Sequence, residues 1–322
     1  MPQVLRIFSA AVLLVAAVTA TAQGPYPTKP VRIVVPLAPG GTVDIVARSL
    51  AQKLTEQLGQ QIIVENRPGV SSLVGTQYVS KAPGDGYTLL AIANTYATVP
   101  AIMSHPGYEL RDFAPISVTA RIPQVLDVTP TLPVRTVKEL IALAKARPNQ
   151  LSYASSGIGS TGHIAAELFN AQAGIKMLHV PYKGNAPGLV DLIGGQVMLF
   201  FDQLSTSVPY INSGKLRALA VTTKTRAPLY PKLPTIDESG LQGYDVVTFN
   251  GLLAPAGTPK DIVARLHAEV AKAVKLPDLR ERFAKQAIEV VASATPEEFA
   301  AYLKSELARN VKLAHDAGIK AE

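Results

Sequence analysis

Short apolar, β-branched runs alternate with segments of helical period along almost the whole chain, and this alternation limits the fold more than any other feature. "VRIVV" (31–35) precedes "DIVARSLAQKLTEQLG", in which Ile45, Leu50, Leu54 and Leu58 line one face and Gly59 ends the helix. "QIIVEN" and "YTLLAIA" read as the next strands, separated by a helix-like "SSLVGTQYVSKA" and the turn "PGDG". Thr136-x-x-Glu139 is a capping box that opens "VKELIALAKAR". "LSYAS", "MLHVPY", "VMLFF" and "LRALAVT" are later strands with short helices between them. Strands this uniformly apolar need cover on both faces, so the pattern predicts an α/β fold with largely parallel sheets.

The last third changes character. Thr258-Pro259 and Thr295-Pro296-Glu297-Glu298 each offer an N-cap, a proline at the first helical position and, in the second case, acids in the first turn. Two long helices follow, "KDIVARLHAEVAKAV" and "EEFAAYLKSELARNVKLAHDA", the latter ending at Gly318. So many strands exceed one ordinary domain. Two lobes are expected: 23–123 plus 243–322 as lobe one with the C-terminal helices, and 124–242 as lobe two. The chain would leave lobe one near "ARIPQVLDV" and return near "GYDVVTFNGLLAP". A double crossing makes a hinge and leaves a cleft between the lobes.

Compartment is addressed by the first 22 residues. Arg6 precedes an apolar run from Ile7 to Val18, and Ala20 and Ala22 make an A-x-A cleavage site. This is a secretory signal peptide, too short to span a bilayer. Removing it takes Arg6 away and leaves 30 basic against 24 acidic residues, 30 − 24 = +6. The chain has no cysteine, so once exported it relies on its apolar core, which fits a bacterial periplasm. Scattered basic residues and few aromatics argue against nucleic acid. The positive balance serves solubility, or draws anionic small ligands to a cleft.

"LSYASSGIGSTGHIAAELF" (151–169) contains Gly157-x-Gly159-x-x-Gly162 between a strand and a helix. A dinucleotide fingerprint of this kind also needs an acid at the end of the next strand to bind ribose. Here that strand, "MLHVPYK", ends without a carboxylate, and Asp191 lies inside the following helix. No cofactor is therefore expected. What remains is an anion-binding device: close backbone approach, free N–H groups at a helix start, and the hydroxyls of Ser155, Ser156, Ser160 and Thr161. "VPLAPGGTVDIVARSL" (35–50) repeats the design through Gly40, Gly41 and Thr42, and "NRPGVSSLVG" (66–75) through Gly69, Ser71 and Ser72. All three junctions sit at carboxyl ends of strands, where open α/β sheets bind ligands.

At these residues the chain resembles the periplasmic solute-binding proteins of tripartite tricarboxylate transporters, the Bug or TctC type. The matching segments include "YPTKPVRIVVPLAPGGTVDIVAR", "GQQIIVENRPG", "DGYTLLAIA", "HVPYKGNAPGLVDLIGGQV", "GKLRALAVTT" and "GLLAPAGTP". The resemblance implies a two-lobed type II periplasmic binding protein, a Venus flytrap, monomeric, that passes a small carboxylated solute to membrane permease subunits. It also implies contacts. Ser156, Gly157, Ser160 and Thr161 would grip one carboxylate from lobe two, with His163 beside them. Gly40, Gly41, Thr42, Val70 and Ser71 would close from lobe one, and Asp202 and Phe249 would meet the other end of the solute. Three departures bear on the choice of solute: Leu37 where an aromatic is common, "GVSS" where Gly-Ala-x-Gly is usual, and "STGH" in place of "TSQH".

Plainer roles stand beside these. His163 is a ligand or gate residue, or a packing and capping one; His179 reads as structural, and Asp44 as a first-turn charge. Asp202 could bind an amino group, hold a water or organise its loop. A hydrolase finds no G-x-S-x-G elbow, no H-E-x-x-H and no cysteine nucleophile, and the five histidines form no i,i+4 metal pair. A sensor kinase's outer domain is an alternative partner to a permease. Solute candidates run from dicarboxylates and citrate-like acids to acidic amino acids and aromatic or nicotinate-like carboxylates.

Overall fold

The computed structural model describes residues 26–69, 72–182 and 184–317. The expected leader, Val70 and Ser71 lie outside these described residues. The chain opens with β1 (Val31–Val35), α1 (Thr42–Leu58), β2 (Ile62–Asn66), α2 (Leu73–Ser80), β3 (Thr88–Ile92) and α3 (Thr95–Ile102). β1 pairs in parallel with β2 on one side and β3 on the other. Within β1 only Arg32 is exposed, so the strand is covered on both faces as its composition requires.

β4 (Phe113–Val128) then runs for 16 residues, roughly 50 Å at strand rise, about three times an ordinary strand. Its first part pairs with β9 (Val247–Pro255), and residues 124–128 pair with β7 (Leu199–Gln203) and β8 (Arg217–Val221). Between them lie α4 (Val137–Ala146), β5 (Ser152–Ser155), α5 (Thr161–Ala173), β6 (Leu178–Pro181), α6 (Asn185–Ile193) and α7 (Leu204–Asn212). β5 repeats the part of β1, parallel to β6 and β7. The curled sheet has the order β2-β1-β3-β9-β4-β7-β5-β6.

The sheet is mixed where sequence reasoning expected largely parallel pairing. β1 and β5 each anchor a parallel trio, but β9 is antiparallel to β3 and β4, and β4 is antiparallel to β7 and β8. The cause is the crossing itself. β4 carries the chain out of the first half and β9 carries it back, so the two must run oppositely. Segment 120–128 falls in β4, and segment 243–255 leads into and includes β9.

Three cores result. Ile33, Val46, Leu50, Leu54, Leu266 and Phe283 pack between β1, α1, α8 (Lys260–Ala273) and α9 (Pro277–Ala284). Leu90, Tyr96, Phe249, Phe299 and Leu303 fill the opposite face, beneath α3 and α10 (Pro296–Ala317). Tyr153, Phe169, Phe201 and Tyr244 centre the second half. Thr295 caps α10 as expected, accepting from the Glu298 N–H at 3.1 Å. Thr258 does not cap α8: its hydroxyl donates to the Pro255 carbonyl at 2.8 Å and closes a turn, leaving Pro259 at the N-cap.

Candidate functional site

Each of the three glycine- and hydroxyl-rich junctions joins the carboxyl end of a parallel strand to a helix. In the first, Gly40 takes φ +84° and turns its N–H to Asp44 Oδ2 at 2.9 Å. Asp44 is almost wholly buried and also accepts from Arg48 Nε and from Asn66 Nδ2. Burial disfavours its charge, yet Arg48, the Gly40 N–H and Asn66 outweigh that and hold the carboxyl below its ordinary range. Asp44 therefore braces the loop, a larger role than a first-turn charge. Gly41 is the N-cap of α1 and no side chain caps the helix, which leaves its first amides open to an anion.

The second junction begins α2 at Ser72, whose φ of +69° is left-handed. Its hydroxyl lies 3.0 Å from that of Thr95, the first residue of α3, so the two helix starts are tied together. The resemblance put a glycine at this place, and the backbone explains the family's preference. Asn94 fixes α3 to the return strand: its Oδ1 accepts from Phe249 N and its Nδ2 donates to the Val247 carbonyl, both at 2.9 Å.

The third junction is the most elaborate. Ser155 is buried, and its hydroxyl lies 2.6 Å from His179 Nε2 while accepting the Gly157 N–H at 3.2 Å. His163 Nδ1 accepts the Gly159 N–H at 3.1 Å, which puts the ring proton on Nε2. The rings of His163 and His179 stack at 4.0 Å, and Tyr153 stacks on His179 at 4.9 Å. Burial pushes His163 down to about 3, helped by His179, and burial pushes His179 down to about 4. Both imidazoles are neutral supports of the loop. Ser160 caps α5 by accepting the His163 N–H at 3.3 Å. The hydroxyls of Ser156 and Thr161 are half-buried and have no partner among the described residues. A Cβ on Gly162 would sit 2.4 Å from the Phe201 carbonyl oxygen, so this glycine serves close helix–strand packing.

The two halves meet near these junctions. Thr42 Oγ1 donates to Gln203 Oε1 at 3.1 Å, joining the start of α1 to the end of β7. A Cβ on Gly159 would lie 2.6 Å from Ile102 Cδ1, so the third loop rests on α3. Gly40, Gly41, Thr42, Ser156, Gly157, Ser160 and Thr161 thus belong to strand–helix junctions of the two halves that approach one another.

Asp202 and Phe249 are placed differently from expectation. Asp202 is fully buried and accepts from Asn185 Nδ2, from Thr206 Oγ1 at 2.5 Å and from Ser207 Oγ at 3.1 Å. Burial raises its pKa to about 6 against these donors. Of the roles left open for it, organising the starts of α6 and α7 is the one its contacts fill. Phe249 is also fully buried, edge-on to Phe299 and Tyr302. Neither side chain has surface to offer a solute in this conformation.

Sequence reasoning missed Gln203, Asn94 and Thr95. Gln203 had a signal, since it ends the apolar run "VMLFFDQ" at a strand's carboxyl end; the other two stand beside a helix start with no glycine to mark it. Among the described residues, no group of three His, Asp or Glu side chains could hold a metal.

With this geometry in hand, comparison with known proteins assigns the family. The profile described as "Tripartite tricarboxylate transporter family receptor" matches residues 46–319. BugT of Bordetella pertussis is 33% identical over 98% of this chain and 97% of its own. The R. palustris protein Rpa4515, solved with adipate, is 39% identical with a TM-score of 0.81, over 92% of this chain and 99% of that one. MatC from Rhodopseudomonas palustris, solved with bound malate, is 30% identical with a TM-score of 0.76, over 89% and 99%. The chain belongs to the tripartite tricarboxylate transporter receptor (TctC) family of periplasmic solute-binding proteins.

Proposed function

We propose that the chain captures a small carboxylate between its two halves and hands it to the permease subunits of a tripartite tricarboxylate transporter, without transforming it. Residues 1–22 would be its export signal, and 23–123 plus 243–322 and 124–242 its two lobes. One carboxylate would be held by Ser156, Gly157, Ser160 and Thr161, with Gly40, Gly41, Thr42, Val70 and Ser71 closing from the other side. His163 would act from behind by holding the Gly159 amide. The observation that carries this reading is the pair of half-buried hydroxyls of Ser156 and Thr161 at the start of α5, without partners among the described residues, together with the uncapped start of α1 in the other half. Uncharged donors of this kind stabilise a carboxylate without a formal cation. Adipate and malate in related structures support a dicarboxylate as the first class to try.

A thermal-shift screen against adipate, malate and a wider carboxylate set tests the proposal. A bound carboxylate stabilises the folded state by about 2.7 kcal/mol at a hundredfold excess over Kd. A saturable rise in Tm, with the solute recovered unchanged, is the expected result. No response to any carboxylate, or turnover of the bound one, would overturn it.

A further inference from the structure

A cavity of about 840 Å3 lies away from the glycine junctions, and no residue of the three junctions lines it. It lies where the halves cross. β4 contributes Arg121 and Pro123, and β9 contributes Val247. One wall is the loop 223–229 that follows β8 in the second half. The other is built by α9, β10 (Glu289–Val290) and the Tyr302 turn of α10 in the first.

The charge on these walls is unbalanced. Arg121, Lys224, Arg226, Lys275, Arg280 and Arg309 face four acids, Asp245, Glu281, Glu289 and Glu306. Arg226 is bound to Glu238, and Arg309 to Glu306. The remaining four cations make no ion pair among the described residues. Between the charges run Pro228, Leu229, Ala284 and Val290, and Leu229 is 40% exposed. A volume inside the usual range of roughly 300–1,000 Å3, an apolar lining and a few convergent cations are the attributes of a small-molecule site.

We propose that this cavity is a second binding site, taking a small organic anion with an apolar body. Its anionic group meets Arg121 and Arg280, and its body lies on Leu229 and Ala284. Because the walls come from both halves, occupancy is linked to their relative position. Reciprocity then requires the guest to alter affinity at the glycine junctions by the factor that a solute there alters its own.

The protein has no tryptophan, so a single Leu229→Trp substitution gives a reporter inside the cavity. Octanoate serves as the probe, titrated into this variant in the Ser156→Ala/Thr161→Ala background. A saturable fluorescence change is expected there, and Arg121→Gln/Arg280→Gln should weaken it at least about tenfold, the loss of one charge-assisted hydrogen bond or more. Calorimetry on protein with Leu229 in place should return a similar Kd. No saturable response by either measurement, or a response unchanged in the double arginine variant, overturns the proposal. Both arginines are exposed, so their removal does not threaten the fold. A failure at the junctions leaves this result untouched, because the binding is read without them.

Discussion

Thr42 and Gln203 are 161 positions apart in sequence, yet the threonine hydroxyl donates to the glutamine side-chain oxygen at 3.1 Å. The bond joins the first turn of α1 to the end of β7, at the rim where both halves present helix starts. It holds the halves together without crossing the hinge strands. Gln203→Ala should therefore favour separation of the halves and weaken carboxylate affinity by about 1 kcal/mol, roughly fivefold in Kd. Small-angle scattering of the unliganded variant should show a larger radius of gyration than the parent. An unchanged radius and affinity would make the contact incidental.

Ser156 and Thr161 carry the more severe test. Loss of two hydrogen bonds to a charged group should cost roughly 2 to 4 kcal/mol of binding, or about 30- to 1,000-fold in Kd. Because neither hydroxyl has a partner among the described residues, Ser156→Ala/Thr161→Ala should leave Tm of the empty protein within a degree or two. Calorimetry and a melt on the same sample separate the two effects. Equal affinity in variant and parent would remove these residues from the site.

Much of this arrangement was legible because its causes are local. β1, β2, β3 and β5 lie within a residue of the apolar runs that announced them, and the junctions follow from glycines and hydroxyls at strand ends. The opaque parts depend on distant partners. β4 holds Pro115 and Pro123, which argue against a central strand; its length follows from serving both halves. β9 is buried at every position after Val247, so no alternation told which way Phe249 faced. A carboxylate at a strand end reads alike as a ligand contact or a loop brace, and the donors that Asp202 receives from Asn185, Thr206 and Ser207 come from residues that the sequence does not mark.

Gly162 shows how a familiar spacing can have another cause. The α-hydrogen that a side chain would replace faces the Phe201 backbone oxygen, and a methyl group there would approach to 2.4 Å. Backbone cannot yield as a side-chain tip does, so Gly162→Ala should destabilise the protein by about 1–3 kcal/mol. Urea unfolding measures this, and an unperturbed midpoint would show that α5 can lift from β7 without cost.

The neutral imidazoles predict a pH dependence with a definite sign. His163 has its pKa lowered to about 3 by burial and by His179, so below about pH 6.5 the unfolded chain binds a proton there that the folded protein refuses. Its contribution to stability is complete above pH 6.5 and declines as pH falls toward 3, by up to about 1.4 kcal/mol per unit. His163→Gln removes that proton. The stability gap between parent and variant should therefore be widest at pH 7 and shrink steadily between pH 6 and pH 4. Denaturant midpoints for the pair across this range provide the measurement. Reading the gap between them cancels the opposing titration of buried Asp202 and Asp127, both raised by burial. A constant gap would mean that His163 is charged in the folded protein.

Phe249 separates core from pocket most cleanly. Its ring is fully buried against Phe299 and Tyr302, and its N–H is held by Asn94. Truncation to alanine leaves a cavity and removes two edge-on aromatic contacts, so Phe249→Ala should cost about 3–5 kcal/mol of stability. Phe249→Leu keeps most of the volume and should cost less than Phe249→Ala while leaving carboxylate affinity within about twofold, well under 1 kcal/mol. A phenylalanine in contact with solute would reverse that order, with affinity falling sharply and Tm of the empty protein barely moving. Melts and calorimetry on Phe249→Leu therefore decide whether the return strand supports the site from behind or lines it.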